Sequence, residues 1–185
     1  MKDPYILQMT ASEPLSLAEE VSMMHDWHTD PTKLTFIITD RVEAEQDSEI
    51  AGMAGDINMF FNDSDDPLVS KHTVLRALFA SVVRVNPLDL VCVWIETAFR
   101  CICRQGTAEI DVMVAEHRHR RRGFASEAVR LLMETVRVQL GVRVVRAKVK
   151  LDNEPSLKLF AGLGFREEAR VEVFNEVHLV RELTE

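Results

Sequence analysis

The sequence is short of cysteine, of surplus positive charge and of long hydrophobic runs, and each shortage removes a class of function. Its three cysteines, Cys92, Cys101 and Cys103, lack metal-site spacing, and no paired histidine motif accompanies them. They read as buried or incidental thiols, and no metal is expected. Lys and Arg number 22 against 30 Asp and Glu, a net charge of −8. A chain so charged is not built to coat nucleic acid or an anionic membrane. The most apolar run, 88–103, is short and broken by Asp89, Glu96 and Arg100, so no membrane span is expected. Met1-Lys2-Asp3-Pro4 is polar with no apolar core behind it, which argues against a signal peptide. No internal repeat or low-complexity tract is visible. The expected location is cytoplasmic, with the nucleus as the alternative.

What is present is enough for one domain: 185 residues can bury a substantial core. The most organised stretch is 108–140. Ile110, Val112 and Val114 alternate as in a strand, and Ala128, Leu132 and Val136 lie on one face of a following helix. Between them runs Arg120-Arg121-Arg122-Gly123-Phe124-Ala125. Glycine lets the backbone adopt positive φ and approach a phosphate, and the small Ala125 keeps the helix start open. The unpaired N–H groups of the first helical turn and the positive end of its dipole then make an anion site.

Around this unit the chain reads as follows. Residues 1–10 look like the tail of a helix and a loop. Ser16-Leu17-Ala18-Glu19 is a capping box opening a helix over 17–28, expected to bury Val21, Met24 and Trp27. Strands at 34–39 and 52–61, separated by a polar loop over 40–48, should form an antiparallel hairpin. The acidic turn 62–67 lacks the glycine and distal glutamate of a calcium loop and reads as solvated. Past the central helix, Gly141 is a stop signal and 142–150 alternates as a strand. Asn153 caps a helix that tolerates Pro155 in its first turn, carries Leu157, Phe160 and Leu163, and ends at Gly164. Strands 166–174 and 177–183 close the chain through Asn175-Glu176. Segment 69–105 differs from its surroundings, with five basic against two acidic residues and all three cysteines. Within it, 74–85 suggests a helix and 88–103 a helix or a strand.

The loop resembles the signature (Gln/Arg)-x-x-Gly-x-(Gly/Ala) of the GCN5-related N-acetyltransferase (GNAT) superfamily. A second stretch, Asn153-x-x-Ser156-x-x-Leu159-Phe160-x-x-Leu163-Gly164-Phe165, is similar to that family's Asn-x-x-(Ala/Ser)-x-x-Leu-(Tyr/Phe)-x-x-x-Gly-Phe. Together with Met9-Thr10-Ala11-Ser12-Glu13-Pro14-Leu15, it resembles the N-acetyltransferase 9-like branch. The resemblance implies an α/β (α+β) acyl-CoA N-acyltransferase fold, a mixed, mostly antiparallel sheet with flanking helices. One N-acetyltransferase domain would span 1–185. Two departures stand out. The family's first strand is missing, as in an N-terminally truncated domain. The family's short turn between its third and fourth strands is replaced by the insertion 69–105. Val-Ser-Lys at its start is encodable as a splice donor and Gln105 as an acceptor, so a translated intron is expected; the alternative is a genuine insertion forming a lid.

The resemblance further implies direct attack of an amine on the thioester of acetyl-CoA, with a protein or peptide acceptor. Backbone N–H groups and charge from Arg120, Arg121, Arg122, Gly123, Phe124 and Ala125 would hold the pyrophosphate. Met113 or Val114 would supply the N–H that meets the developing oxyanion. Ser156 would contact the coenzyme, Asn153 would serve mainly as a cap with a secondary role there, and Phe160 would stand where many relatives place a tyrosine acid. Glu109 and Asp111, two apart on one strand face, are the candidate proton acceptors. Direct attack needs no Ser-His-Asp or Cys-His arrangement. Two rival readings remain. One is an inactive truncated isoform. The other is a nucleic-acid-binding patch around His117 and His119, weakened because its glycine sits at the phosphate-loop position and no aromatic platform accompanies it.

Overall fold

Alternation along five strands decides the architecture. In the computed structural model, which describes residues 3–10, 12–30, 32–61, 75–76, 83–85, 90–94, 99–100 and 106–184, apolar and polar positions separate onto opposite faces of one sheet. β1 (Lys33–Asp40) and β2 (Met53–Phe60) pair antiparallel, as the hairpin expectation required. Segment 69–105 contributes β3 (Leu75–Arg76), β4 (Val83–Val85), β5 (Leu90–Trp94) and β6 (Phe99–Arg100). β7 (Thr107–Val114), β8 (Val144–Lys150), β9 (Arg166–Val171) and β10 (Glu176–Glu182) follow. The main sheet has the order β4-β5-β1-β2-β7-β8-β10-β9, and β3 pairs separately with β6. β7 and β8 are parallel, while the other neighbours run antiparallel.

Leu34, Phe36 and Ile38 of β1, Ile57 and Met59 of β2, Ala108 and Ile110 of β7 and Val145, Ala147 and Val149 of β8 make the apolar face. α4 (Phe124–Leu140) lays Ala128, Leu132 and Val136 into this core, each at most 5% exposed, together with Val129 and Met133. α5 (Glu154–Gly162) adds Phe160, with Leu163 and Phe165 just beyond its end. Gly141 sits at φ 71° and closes α4, and Asn175 at φ 54° turns the chain between β9 and β10. α1 (Pro4–Thr10) precedes α2 (Leu17–Thr29), whose capping box forms through Ser16 and Glu19.

Several expectations are corrected. Val21 and Met24 are each 52% exposed, because periodicity selects an apolar stripe but does not supply an element to cover it. Trp27 alone is half-buried, over Lys33. The polar loop after β1 contains α3 (Arg41–Gln46), nucleated by Asp40, whose carboxylate accepts from the N–H groups of Val42 and Glu43. The helix expected over 74–85 is replaced by β3 and β4. β5 pairs with β1 on the side away from β2, so β1 is not an open edge. The acidic turn 62–67, Cys101, Cys103 and most of 69–105 lie outside the described residues.

Candidate functional site

The opening is created by where the β7–β8 ladder stops. Its pairs are Thr107 with Val144, Ala108 with Val145 and Glu109 with Arg146. β7 continues to Val114 and β8 to Lys150, and among the described residues no pairing joins 110–114 to 147–150. Two parallel strands that separate in this way leave backbone donors and acceptors facing a cleft. The neighbouring strand is shaped to match: a Cβ on Gly55 would overlap the carbonyl oxygen of Met113 and crowd Val114 Cα at 2.9 Å. Only glycine lets β2 come that close to this part of β7.

The chain leaves β7 at the open end of the cleft and turns through His117–His119 into the glycine loop. Arg121 lies at φ 63° and Gly123 at φ 94°, which aims the loop backbone out of its helical path. Among the described residues, no acceptor is found for the N–H groups of Arg121, Arg122, Gly123, Phe124 or Ala125. They form an unclaimed donor set at the positive end of α4.

The side chains divide differently from the sequence expectation. Arg120 does not present its charge to this donor set. Its Nε donates to the carbonyl of Val114 at 3.0 Å and its second terminal nitrogen to that of Ala115 at 3.0 Å, tying the loop to the end of β7. Its backbone N–H is spent on His117. Arg122 reaches Asp40 at 3.4 Å and stacks over Phe124, while Arg121 is exposed. Phe124 is buried edge-on to His119, so only its amide is offered to the loop. Phe160 is 4% exposed and packs edge-on to Phe165 at 4.9 Å, which makes its ring part of the core. Asn153 accepts from the N–H of Ser156 at 3.2 Å as the α5 cap, and Ser156 is half-buried.

Glu109 and Asp111 share the polar sheet face but not their surroundings. Glu109 is paired with Lys148 across the cleft at 2.8 Å. Asp111 accepts from Asn58 Nδ2 at 2.8 Å, and the same nitrogen donates to Asp56 at 2.7 Å. Asn58 is buried, and Thr35 Oγ1 donates to its Oδ1 at 2.7 Å, which fixes the amide with both N–H groups toward the carboxylates. Asp111 is accessible to solvent yet closely surrounded by neighbouring groups, and desolvation raises its carboxyl. Asp56 is more enclosed. Desolvation, opposed by the Asn58 hydrogen bond, raises it to about 6. Lys33, buried beneath the Trp27 ring at 3.2 Å, is lowered by desolvation despite the nearby charges of Asp111, Asp56 and Asp30.

Asp56, Asn58, Thr35 and Lys33 were not singled out from the sequence. Their signal was present as polar residues two apart within strands that otherwise bury their side chains. A second cluster lies behind the glycine loop. His119 is fully buried, with Asp40 3.6 Å from Nδ1 and Glu43 3.4 Å from Nε2. Its ligand-type atoms fall within 4.8 Å of one another. Arg118 and Arg122 already supply the positive charge there, through contacts to Glu43 at 3.0 Å and Asp40 at 3.4 Å. The cluster therefore anchors the loop to β1 and α3.

Residues 1–166 match the profile of the acetyltransferase (GNAT) domain. An N-acetyltransferase 9-like protein of Nematostella vectensis is 36% identical over 97% of this chain and 72% of its own length. The alpha/beta-tubulin-N-acetyltransferase 9 of Drosophila melanogaster is 32% identical over 100% of this chain and 76% of its own. Among solved structures, a Vibrio cholerae spermidine N-acetyltransferase in complex with CoA and spermine shares the fold. Its TM-score is 0.62 at 14% identity, covering 97% of this chain and 83% of that one. Among the described residues no helix is long and apolar enough to cross a membrane.

Proposed function

The chain belongs to the GNAT acetyltransferase family and is an acetyl-CoA-dependent N-acetyltransferase, and from that premise we propose that it acetylates a primary amine of a protein by direct attack. The observation that carries the residue assignments is the coincidence of the β7–β8 opening with the unclaimed amides of 121–125 at its wide end. The residues fit the co-substrate. A diphosphate needs several N–H donors and a backbone free of Cβ atoms at the turn, and Gly123 at φ 94° with its neighbours provides both. Arg121 and Arg122 add charge, while Arg120 acts by holding the loop to Val114 and Ala115. The exposed edge at Met113 and Val114 is where an N–H would meet the developing oxyanion. Of Glu109 and Asp111, Asp111 is the better placed to meet the acceptor amine, because Glu109 is engaged by Lys148. Phe160 has no hydroxyl, so the departing thiolate takes its proton from elsewhere. The relatives named for tubulin acetylation support a protein acceptor.

Thermal stabilisation by acetyl-CoA tests this reading. The wild-type chain is expected to gain several degrees at saturating co-substrate. Gly123→Asp puts a side chain and a negative charge at the positive-φ position and is expected to abolish the gain. Full stabilisation of that variant would remove the assigned site.

A further inference from the structure

We propose that Asp56 on β2 is a further catalytic residue, the group that takes the proton from the acceptor's primary ammonium, and that Asp111, bridged to it by Asn58, holds that ammonium in place. This rests on the acetyltransferase reading and extends it to the acceptor side of the same cleft.

The placement comes from register. Asp56 stands directly opposite Met113 in the β2–β7 ladder, and Asn58 opposite Asp111. Directly opposed residues have Cβ atoms about 5 Å apart, so Asp56 borders the segment of β7 assigned to the thioester, two residues nearer than Asp111. One buried amide nitrogen holds both carboxylates, at 2.7 and 2.8 Å. Two carboxylates gathered on one donor attract a cation between or beside them. An independent sign of that preference is already in the fold. Lys33 carries a primary ammonium onto the Trp27 and Phe60 rings, 3.2 and 4.9 Å from their centroids. Asp30, Asp56 and Asp111 all act on it electrostatically. This face of the sheet therefore accommodates an ammonium among aromatic and acidic groups.

The step balances as follows. The Asp56 carboxylate takes one proton from the acceptor R–NH3+, leaving R–NH2. The nitrogen lone pair attacks the thioester carbonyl carbon, forming C–N, and the C–S bond breaks with its electron pair on sulfur. The second nitrogen proton ends on the thiolate, giving the acetylamide and free coenzyme A. Asp56 then returns its proton to solvent. A base held near 6 is deprotonated at neutral pH yet strong enough to shift the ammonium equilibrium. The charged groups acting on it are Asp111 on β7 and Lys33 on β1; Glu109 acts in turn on Asp111 and pairs with Lys148 of β8, and Asp30 acts on Lys33.

The test measures coenzyme A release by the full chain between pH 5 and 9. Three acceptors serve as probes: a peptide with a free α-amino group and no lysine, a blocked peptide with one lysine, and spermidine. Asp56→Asn keeps an acceptor for Asn58 Nδ2. It is expected to leave stabilisation by acetyl-CoA intact, to lower kcat/KM at least 100-fold and to erase the acidic limb of the profile near pH 6. Asp56→Glu is expected to recover part of the rate. Asn58→Asp, which replaces the bridging donor by a third carboxylate, is expected to raise KM for the amine more than it lowers kcat. A wild-type rate and pH profile in Asp56→Asn overturns the proposal, as does a wild-type enzyme that binds acetyl-CoA but accepts none of the three amines. Absence of any acetyl-CoA stabilisation in the wild type instead overturns the acetyltransferase site assignment beneath it.

Discussion

The raised pKa of Asp56 predicts a pH-dependent stability difference between the wild type and Asp56→Asn. The carboxyl moves from 3.8 to about 6 because desolvation disfavours its charge more than the Asn58 hydrogen bond favours it. The folded protein thus keeps a proton that the unfolded chain releases. The associated stability is fully present below pH 3.8 and is lost as pH rises through about 6. Each unit corresponds to about 1.4 kcal/mol, so a shift of this size costs up to about 3 kcal/mol at neutral pH. Partial solvent access and screening reduce the expectation to roughly 1.5–3 kcal/mol. Asparagine cannot ionise and escapes the penalty. Urea unfolding of both proteins at pH 4, 5, 6 and 7.5 reads the difference directly. Asp56→Asn should lie closest to the wild type at pH 4, exceed it increasingly through pH 5 and 6, and hold a nearly constant advantage by pH 7.5. In a melt, the gain at pH 7.5 amounts to roughly 3–12 °C for a chain of this length. A difference that does not vary with pH, or one that favours the wild type at pH 7.5, would refute the assignment of a buried, raised carboxyl at this position.

Three further outcomes are expected. Gly55→Ala forces a Cβ onto the Met113 carbonyl, so it should lower stability by about 1–3 kcal/mol and weaken acetyl-CoA stabilisation together; urea melts with and without acetyl-CoA check both. Arg120→Lys keeps the charge but loses the two-carbonyl fork to Val114 and Ala115. At about 0.5–1.5 kcal/mol per lost bond, acetyl-CoA affinity by calorimetry should fall roughly tenfold. Val136→Ala removes two methyl groups from a site with no solvent exposure and should cost about 2 kcal/mol by urea unfolding, with no change in acetyl-CoA affinity.

Much of the fold was legible because local chemistry and tertiary need agree along most of the chain. Ser16 and Glu19, Asn153, Gly141 and the Ala128-Leu132-Val136 stripe each specify a helix end or face through short-range contacts, and each is found as expected. In the loop after β7, the strand-before, helix-after setting implied free amides; those of 121–125 have no acceptor among the described residues, whereas that of Arg120 is bonded to His117. The side-chain assignments fared differently. Arg120 looked like a phosphate ligand because an arginine in a glycine loop has the right charge. Only the folded loop reveals that its guanidinium is taken by two carbonyls at the end of β7. Phe160 occupies the expected motif position, but its ring belongs to the core.

By itself the sequence determined the ends of α2, α4 and α5 and the position of the glycine turn before α4, because these depend on residues within about one helical turn of one another. Tertiary structure alone decided where β7 and β8 part, and how close Gly55 brings β2 to Met113. It also decided that Asp56 and Asp111, 55 positions apart, share one amide of Asn58. Such proximities are set by strand register, and no pattern confined to one strand records which partner lies opposite.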